Sequence, residues 1–127
     1  MKRLTVSLLL LGVVLAYPVR TAQTATFTNK QLGKGSLTTT LTTILYTVPG
    51  ATTTIVTTVT VANKNTTTIR AVTIKAAGVA WLPAFGMSAN STEALQFNHV
   101  LNAADTITGG QDVGTDVDYF ISGVEIT

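Results

Sequence analysis

The sequence predicts an all-β fold: an antiparallel β-sandwich, jelly-roll or Greek-key-like, with an apolar N-terminal arm. Three observations predict it. From Leu37 to Lys75 the chain reads LTTTLTTILYTVPGATTTIVTTVTVANKNTTTIRAVTIK, threonine and β-branched apolar residues with no helical period. Such residues are stiff at χ1 and suit a pleated surface. Turn residues recur at roughly 8–12-residue intervals, as they do between short antiparallel strands. No stretch after residue 23 keeps a 3.6-residue period for long, so no helix is predicted beyond the N-terminal segment.

Residues 24–32 alternate through Ala25 and Phe27 and predict a first strand, broken by Gly33-Lys34-Gly35. Leu37 to Val48 predicts a longer second strand, stopped where Pro49-Gly50 removes a ladder donor. Thr53 to Ala62 predicts the third, with Ile55, Val59 and Val61 on one face and Val56, Thr58 and Thr60 on the other. Asn63-Lys64-Asn65 predicts a turn through asparagine's tolerance of left-handed geometry. Thr67 to Ala77 follows as a fourth strand. Val79 to Gly86 is the most apolar part of the domain and reads as irregular because of Pro83. Glu93 to Leu101 alternates, with Leu95, Phe97 and Leu101 on one side. Thr106 to Thr108 is a short strand, Gly109-Gly110-Gln111 opens a loop, and Thr115 to Ile126 closes the domain.

Composition bounds the chemistry. At 127 residues this is one domain (24–127) behind a leader or arm with its connector (1–23). Charged residues make up 11% of the chain, against a usual figure of about 25%. The net charge is +2, and two of the eight basic residues are Lys2 and Arg3. No Lys/Arg stripe interleaved with aromatics runs anywhere, so the basic pI is not a nucleic-acid footprint. There is no cysteine, which excludes disulfides, thiolate metal sites and thiol redox chemistry.

Met1 to Ala16 reads MKRLTVSLLLLGVVLA. Two positive charges before an apolar run, with Val14-x-Ala16 behind it, make a secretory signal peptide the leading reading. The competing reading is a hydrophobic arm buried against a neighbouring subunit through Leu8, Leu9, Leu10 and Val13. The run is short for a membrane helix, which needs about 20 apolar residues.

Few groups point to catalysis. His99, the single histidine, continues the Leu95-Phe97-Leu101 face and reads as a packed or interface residue, with no partner at metal-ligand spacing. Asp112, Asp116 and Asp118 form the one acidic cluster. Asp116 and Asp118 would share a strand face with Asp112 in the preceding loop, a set able to offer oxygens to calcium. Their spacing misses the calcium-loop pattern, which favours a solvated strand start. Asn65-Thr66-Thr67 and Asn90-Ser91-Thr92 match the glycosylation sequon, relevant only in a secreted eukaryotic chain. Trp81, Leu82, Phe85 and Met87 concentrate apolar and aromatic surface around Pro83. That segment either plugs one end of the sandwich or forms a partner-binding patch.

A series of short motifs comes in order along the chain. Phe27-Thr28-Asn29-Lys30-Gln31-Leu32-Gly33-Lys34-Gly35-Ser36-Leu37 opens it, and Leu45-Tyr46-Thr47-Val48-Pro49 follows. Then come Thr52-Thr53-Thr54-Ile55-Val56, Val61-Ala62-Asn63, Ala89-Asn90-Ser91-Thr92 and Ala104-Asp105-Thr106-Ile107. Val117-Asp118-Tyr119-Phe120-Ile121-Ser122-Gly123-Val124-Glu125-Ile126 ends it. In this order the chain resembles a family of small structural proteins encoded in tailed-bacteriophage genomes. The resemblance implies a β-sandwich virion component that forms homo-oligomers and contacts other virion proteins, the major capsid protein or neck and tail proteins. It brings no catalytic residues and no cofactor, and implies neither a small-molecule substrate nor nucleic acid as a partner. Members of that family usually begin near the position of Thr26, so the apolar leader is this chain's departure from it. The expected role is capsid decoration or cement in the virion, and the alternative is a secreted surface or filament subunit with a cleaved signal peptide.

Overall fold

The computed structural model describes Pro18 and residues 21–127. Eight strands follow one another: β1 (Phe27–Ser36), β2 (Ile44–Thr47), β3 (Thr53–Asn63), β4 (Arg70–Ala76), β5 (Val79–Met87), β6 (Ser91–Leu101), β7 (Thr106–Gln111) and β8 (Val117–Ile126). They build two four-stranded sheets in the orders β1-β8-β3-β6 and β2-β7-β4-β5, with every pairing antiparallel. β1 pairs with β8, β2 with β7, β3 with β6 and β4 with β5. The first four strands thus lie back along the last four, and the whole ribbon is rolled into two layers. This is the strand order of a jelly roll, and the sandwich expected from the threonine-rich pattern is the observed fold.

The core lies between the sheets. Val56, Val59, Val61 and Ile121 face Val72, Ile74 and Ile107, all without exposed surface. Burying each such side chain contributes about 1.5–3 kcal/mol, so the apolar layer outweighs any single polar contact in holding the sheets together. Outward positions are mainly threonine and other small or uncharged residues, as the sequence requires for a sheet with one wet face.

Several elements differ from their sequence-based outlines. Leu37 to Thr43 is not strand. The Thr43 hydroxyl donates to the Thr40 carbonyl at 2.8 Å, and the Thr40 N–H donates to the Thr38 hydroxyl at 3.3 Å. Threonine here competes with the ladder for backbone partners, and the second strand shrinks to four residues. β1 instead runs on through Gly33-Lys34-Gly35, after a bulge between Gln31 and Gly33. A side chain at Gly33 would lie 2.7 Å from the Leu45 carbonyl of the other sheet, so the glycine marks close packing rather than a break. β7 likewise continues through Gly109-Gly110 to Gln111.

In β3 a bulge between Val56 and Thr58 switches the faces. Thr54, Val56, Val59 and Val61 point inward, while Ile55 turns outward. The third-strand face assignment is therefore corrected: Ile55 does not share a face with Val59 and Val61. Val79 to Met87 is a strand despite Pro83. It lies at a sheet edge, where a missing N–H costs no ladder bond, and two register shifts against β4 absorb the proline. The turn after β3 is held by side chains rather than by left-handed backbone. The Asn63 amide donates to the Thr68 and Ser88 carbonyls at 3.0 Å, and its oxygen accepts from the Asn65 N–H at 3.0 Å.

Candidate interaction surfaces

Among the described residues three ion pairs, each with its hydrogen-bond partners, join distant parts of the chain. At the start of β8, Asp116 accepts from Arg70 Nε at 2.8 Å, from Arg70 Nη2, and from the Asn65 amide at 3.1 Å. These contacts tie the β3–β4 loop to the β7–β8 loop. The Arg70 hydrogen bonds, then that of Asn65, hold the Asp116 carboxyl below its usual range. On the outer face of β8, Asp118 accepts from the Ser36 hydroxyl and pairs with Lys64 Nζ at 2.9 Å. Ser36 first and Lys64 second lower its pKa. Asp112 accepts from the Val113 N–H at 2.9 Å. Asp112 lies in the β7–β8 loop, as expected, but Asp116 and Asp118 do not share a strand face. Asp116 sits before β8, Asp118 on it, and each is bound to a different cation. Among the described residues no three His, Cys, Asp or Glu side chains gather at metal-binding distance.

The third cluster lies between the sheets and was missed as a unit by sequence reasoning. Glu125 is 8% exposed. It accepts from Lys30 Nζ at 2.7 Å and from the Tyr46 hydroxyl at 2.8 Å. Tyr46 also lies 2.8 Å from the hydroxyl of fully buried Thr54. Lys30 chiefly lowers the Glu125 pKa, while burial pushes the Tyr46 phenol up to about 12. Each side-chain polar atom of the cluster has a hydrogen-bond partner within it, so the cluster clamps β1, β2, β3 and β8 together. A signal was present in the sequence. Glu125 has the same parity as Val117, Tyr119 and Ile121 in β8, which assigns it to the inner face.

The Trp81 segment is divided by strand alternation. Leu82 (7% exposed) and Met87 (1%) belong to the core; the expectation that they meet a neighbouring subunit is corrected, because both side chains already pack inside the sandwich. Trp81 and Phe85 are half-buried against that core. Trp81 stacks on Phe97 with centroids 4.9 Å apart and lies 4.9 Å from His99; Phe97 and His99 are 5.6 Å apart. These three rings close the flank where edge strands β5 and β6 meet. A hollow of about 380 Å³ beside them is lined by Val79, Ala80, Trp81, His99 and Val100. Leu8, Leu9, Leu10 and Val13 fall outside the described residues.

The outer face of the β1-β8-β3-β6 sheet carries two shallow grooves on either side of Phe120. One, of about 520 Å³, runs past Lys34, Ser36, Thr60, Ala62 and Asp118. The other, of about 390 Å³, runs past Asn29, Gln31, Thr57 and Ser122. Phe120 stands 41% exposed between them. Threonine and serine, small apolar residues and the aromatic rings of Tyr119 and Phe120 line this face, with Lys30, Lys34 and Asp118 among them. Neither a family model nor a curated protein matches this chain in comparisons with known proteins.

Proposed function

We propose that this protein is a non-enzymatic structural component of a bacteriophage virion, decorating or cementing the capsid, or attached at the neck or tail, through contacts between subunits. The observation that carries the reading is the jelly-roll strand order, an architecture that recurs in viral capsid domains. It supports the role by analogy of fold, since one fold serves many functions. Two further features support it. The ordered motifs from Phe27 to Ile126 resemble phage structural proteins, and the described carboxylates at 116, 118 and 125 are engaged with cations inside the chain. On this reading the particle supplies the partners, other virion proteins and further copies of the chain. Mass spectrometry and electron microscopy of purified particles test it. The expected result is the chain at many copies per particle with density on the shell, neck or tail. Its absence from washed particles overturns the reading.

A second reading rests on the leader: Lys2-Arg3, the apolar run to Val14 and the small residue Ala16 fit export. It makes the chain a surface or filament subunit outside the cell. Intact mass decides between the two. A chain that has lost residues 1–16 and is recovered from the medium or cell surface supports export, and Met1 retained within particles supports the virion.

A further inference from the structure

β8 runs inside the first sheet with β1 on one side and β3 on the other. Both neighbours bulge at the same level, beside Ser122: β1 between Gln31 and Gly33, and β3 between Val56 and Thr58. A bulge bends its strand, increases the local twist and re-aims side chains. The extra residue in β3, Thr57, lines the second groove, where its hydroxyl donates to the Ser122 carbonyl at 3.2 Å. The two grooves meet at Phe120, and from Asp118 to Val124 they follow β8 for about 20 Å.

The lining offers donors and acceptors that the fold leaves open. Asn29 and Gln31 are exposed on β1. Neither side-chain amide has a hydrogen-bond partner among the described residues, whereas those of Asn63, Asn65 and Gln111 are engaged. Asp118 takes both Ser36 and Lys64 on Oδ1, so its Oδ2 stays open. Lys30 and Asp118 are paired with Glu125 and Lys64. That leaves Lys34 as the one lining charge without an ion pair among the described residues. A single exposed charge is largely screened at physiological salt, so the grooves do not select a charged ligand. Amid these polar groups Phe120 supplies an apolar ring.

An uncharged, extended ligand with apolar surface beside many hydroxyls matches this lining. A sugar ring has that character: its C–H groups lie against an aromatic ring while its hydroxyls exchange water for amide, carboxylate and hydroxyl partners. A compact apolar molecule fits poorly, because ligand sites bury most of such a molecule and these grooves are shallow. We propose that the Phe120 face binds an uncharged glycan chain laid along β8. Phe120 lies against a central sugar unit, and Asn29, Gln31, Thr60 and Asp118 bond hydroxyls to either side of it. Jelly rolls serve as lectin domains as well as capsid domains, which supports this class of ligand by analogy of fold. The inference goes beyond the virion reading and does not depend on it.

Native electrophoresis of the full chain through gels containing soluble mannan, dextran, xylan or mixed-linkage β-glucan tests the proposal. At least one polymer is expected to retard the chain, and added salt should leave the retardation unchanged. Amide NMR shifts on titration with an oligosaccharide of that polymer should centre on residues 29–34 and 118–124. Phe120 is 41% exposed, so Phe120→Ala and Phe120→Tyr should both keep the parent circular dichroism. Phe120→Ala should weaken binding about tenfold, and Phe120→Tyr should retain it. Asn29→Ala combined with Gln31→Ala should weaken it about fivefold. Retardation by none of the four polymers, retardation that Phe120→Ala leaves unchanged, or shifts centred on Trp81 and His99 overturns the proposal. A particle-borne chain that no polymer retards removes the glycan site alone, and a glycan-binding chain absent from every particle removes the virion reading alone.

Discussion

Lys30 and Glu125 are 95 residues apart in sequence and meet between the sheets because β1 and β8 pair along their whole length. The Glu125 side chain is 10% exposed and that of Lys30 is 50% exposed, so the carboxylate bears most of the desolvation. Lys30→Met leaves Glu125 with the Tyr46 hydroxyl as its remaining side-chain donor. The expected cost is about 1–3 kcal/mol, read from the urea midpoint at constant m-value. The same residues set the acid limit. Asp116, Asp118 and Glu125 all have folded pKa values below their ordinary ones. The folded state therefore binds fewer protons than the unfolded state across that window. Their stabilisation is complete above the unfolded values of about 4 and is lost as pH falls through the lower folded values. A Tm series should be flat from about pH 7 to 5 and fall from about pH 4 downward, with a shallower fall for Asp116→Asn. Parity along the last strand is enough to mark Glu125 as inward. Nothing in the sequence marks Lys30 as its partner, because that requires knowing that the first strand lies against the last.

At the scale of elements, side-chain alternation locates strands better than glycine locates their ends. β3, β6 and β8 lie close to where period-two patterning sets them. Gly33-Lys34-Gly35 and Gly109-Gly110 have the local look of interruptions and are strand, because the glycines answer to neighbours distant in sequence. A Cβ on Gly110 would stand 2.7 Å from the Thr40 carbonyl oxygen and 2.8 Å from that of Thr38. Gly110→Ala is expected to destabilise by about 2 kcal/mol or more, since both obstacles are backbone. The turn between β4 and β5 offers the opposite opportunity. Ala77 and Gly78 have φ of 48° and 79°, the geometry in which Asn-Gly is preferred. Ala77→Asn should stabilise by about 1 kcal/mol, by relieving the cost of a left-handed alanine. Denaturant titration of the two variants against the parent checks both signs. Local sequence conveys what each segment favours, and the contacts of Gly110 lie beyond its reach.

For the whole molecule, the layered all-β class was legible from the threonine-rich alternation, and the strand order was not. Many Greek-key arrangements satisfy the same inside–outside pattern; pairing β1 with β8 and β2 with β7 selects one of them. Candidate surfaces were legible in part. Trp81 and His99 reach the β5–β6 flank and Phe85 is half-buried against the core, whereas Leu82 and Met87 are drawn inside by the alternation of an edge strand that Pro83 had disguised. Exposure of the Phe120 face depends on which side of β8 the other sheet covers, and no local pattern carries that information.

Thr26 and Thr127 exchange backbone hydrogen bonds, Thr26 N–H to Thr127 O at 2.9 Å and Thr127 N–H to Thr26 O at 3.1 Å. The two ends of the sandwich domain are therefore neighbours, while the Ala77-Gly78 hairpin lies midway along the ribbon. A circularly permuted chain that starts at Gly78, passes from Thr127 through a short Gly-Ser linker to Thr26 and stops at Ala77 keeps every strand pairing. It should refold to the parent far-ultraviolet spectrum with a Tm lower by no more than about 10 °C, the entropic cost of one opened hairpin. Such a rewired domain would carry cargo fused at the hairpin side, away from both original ends.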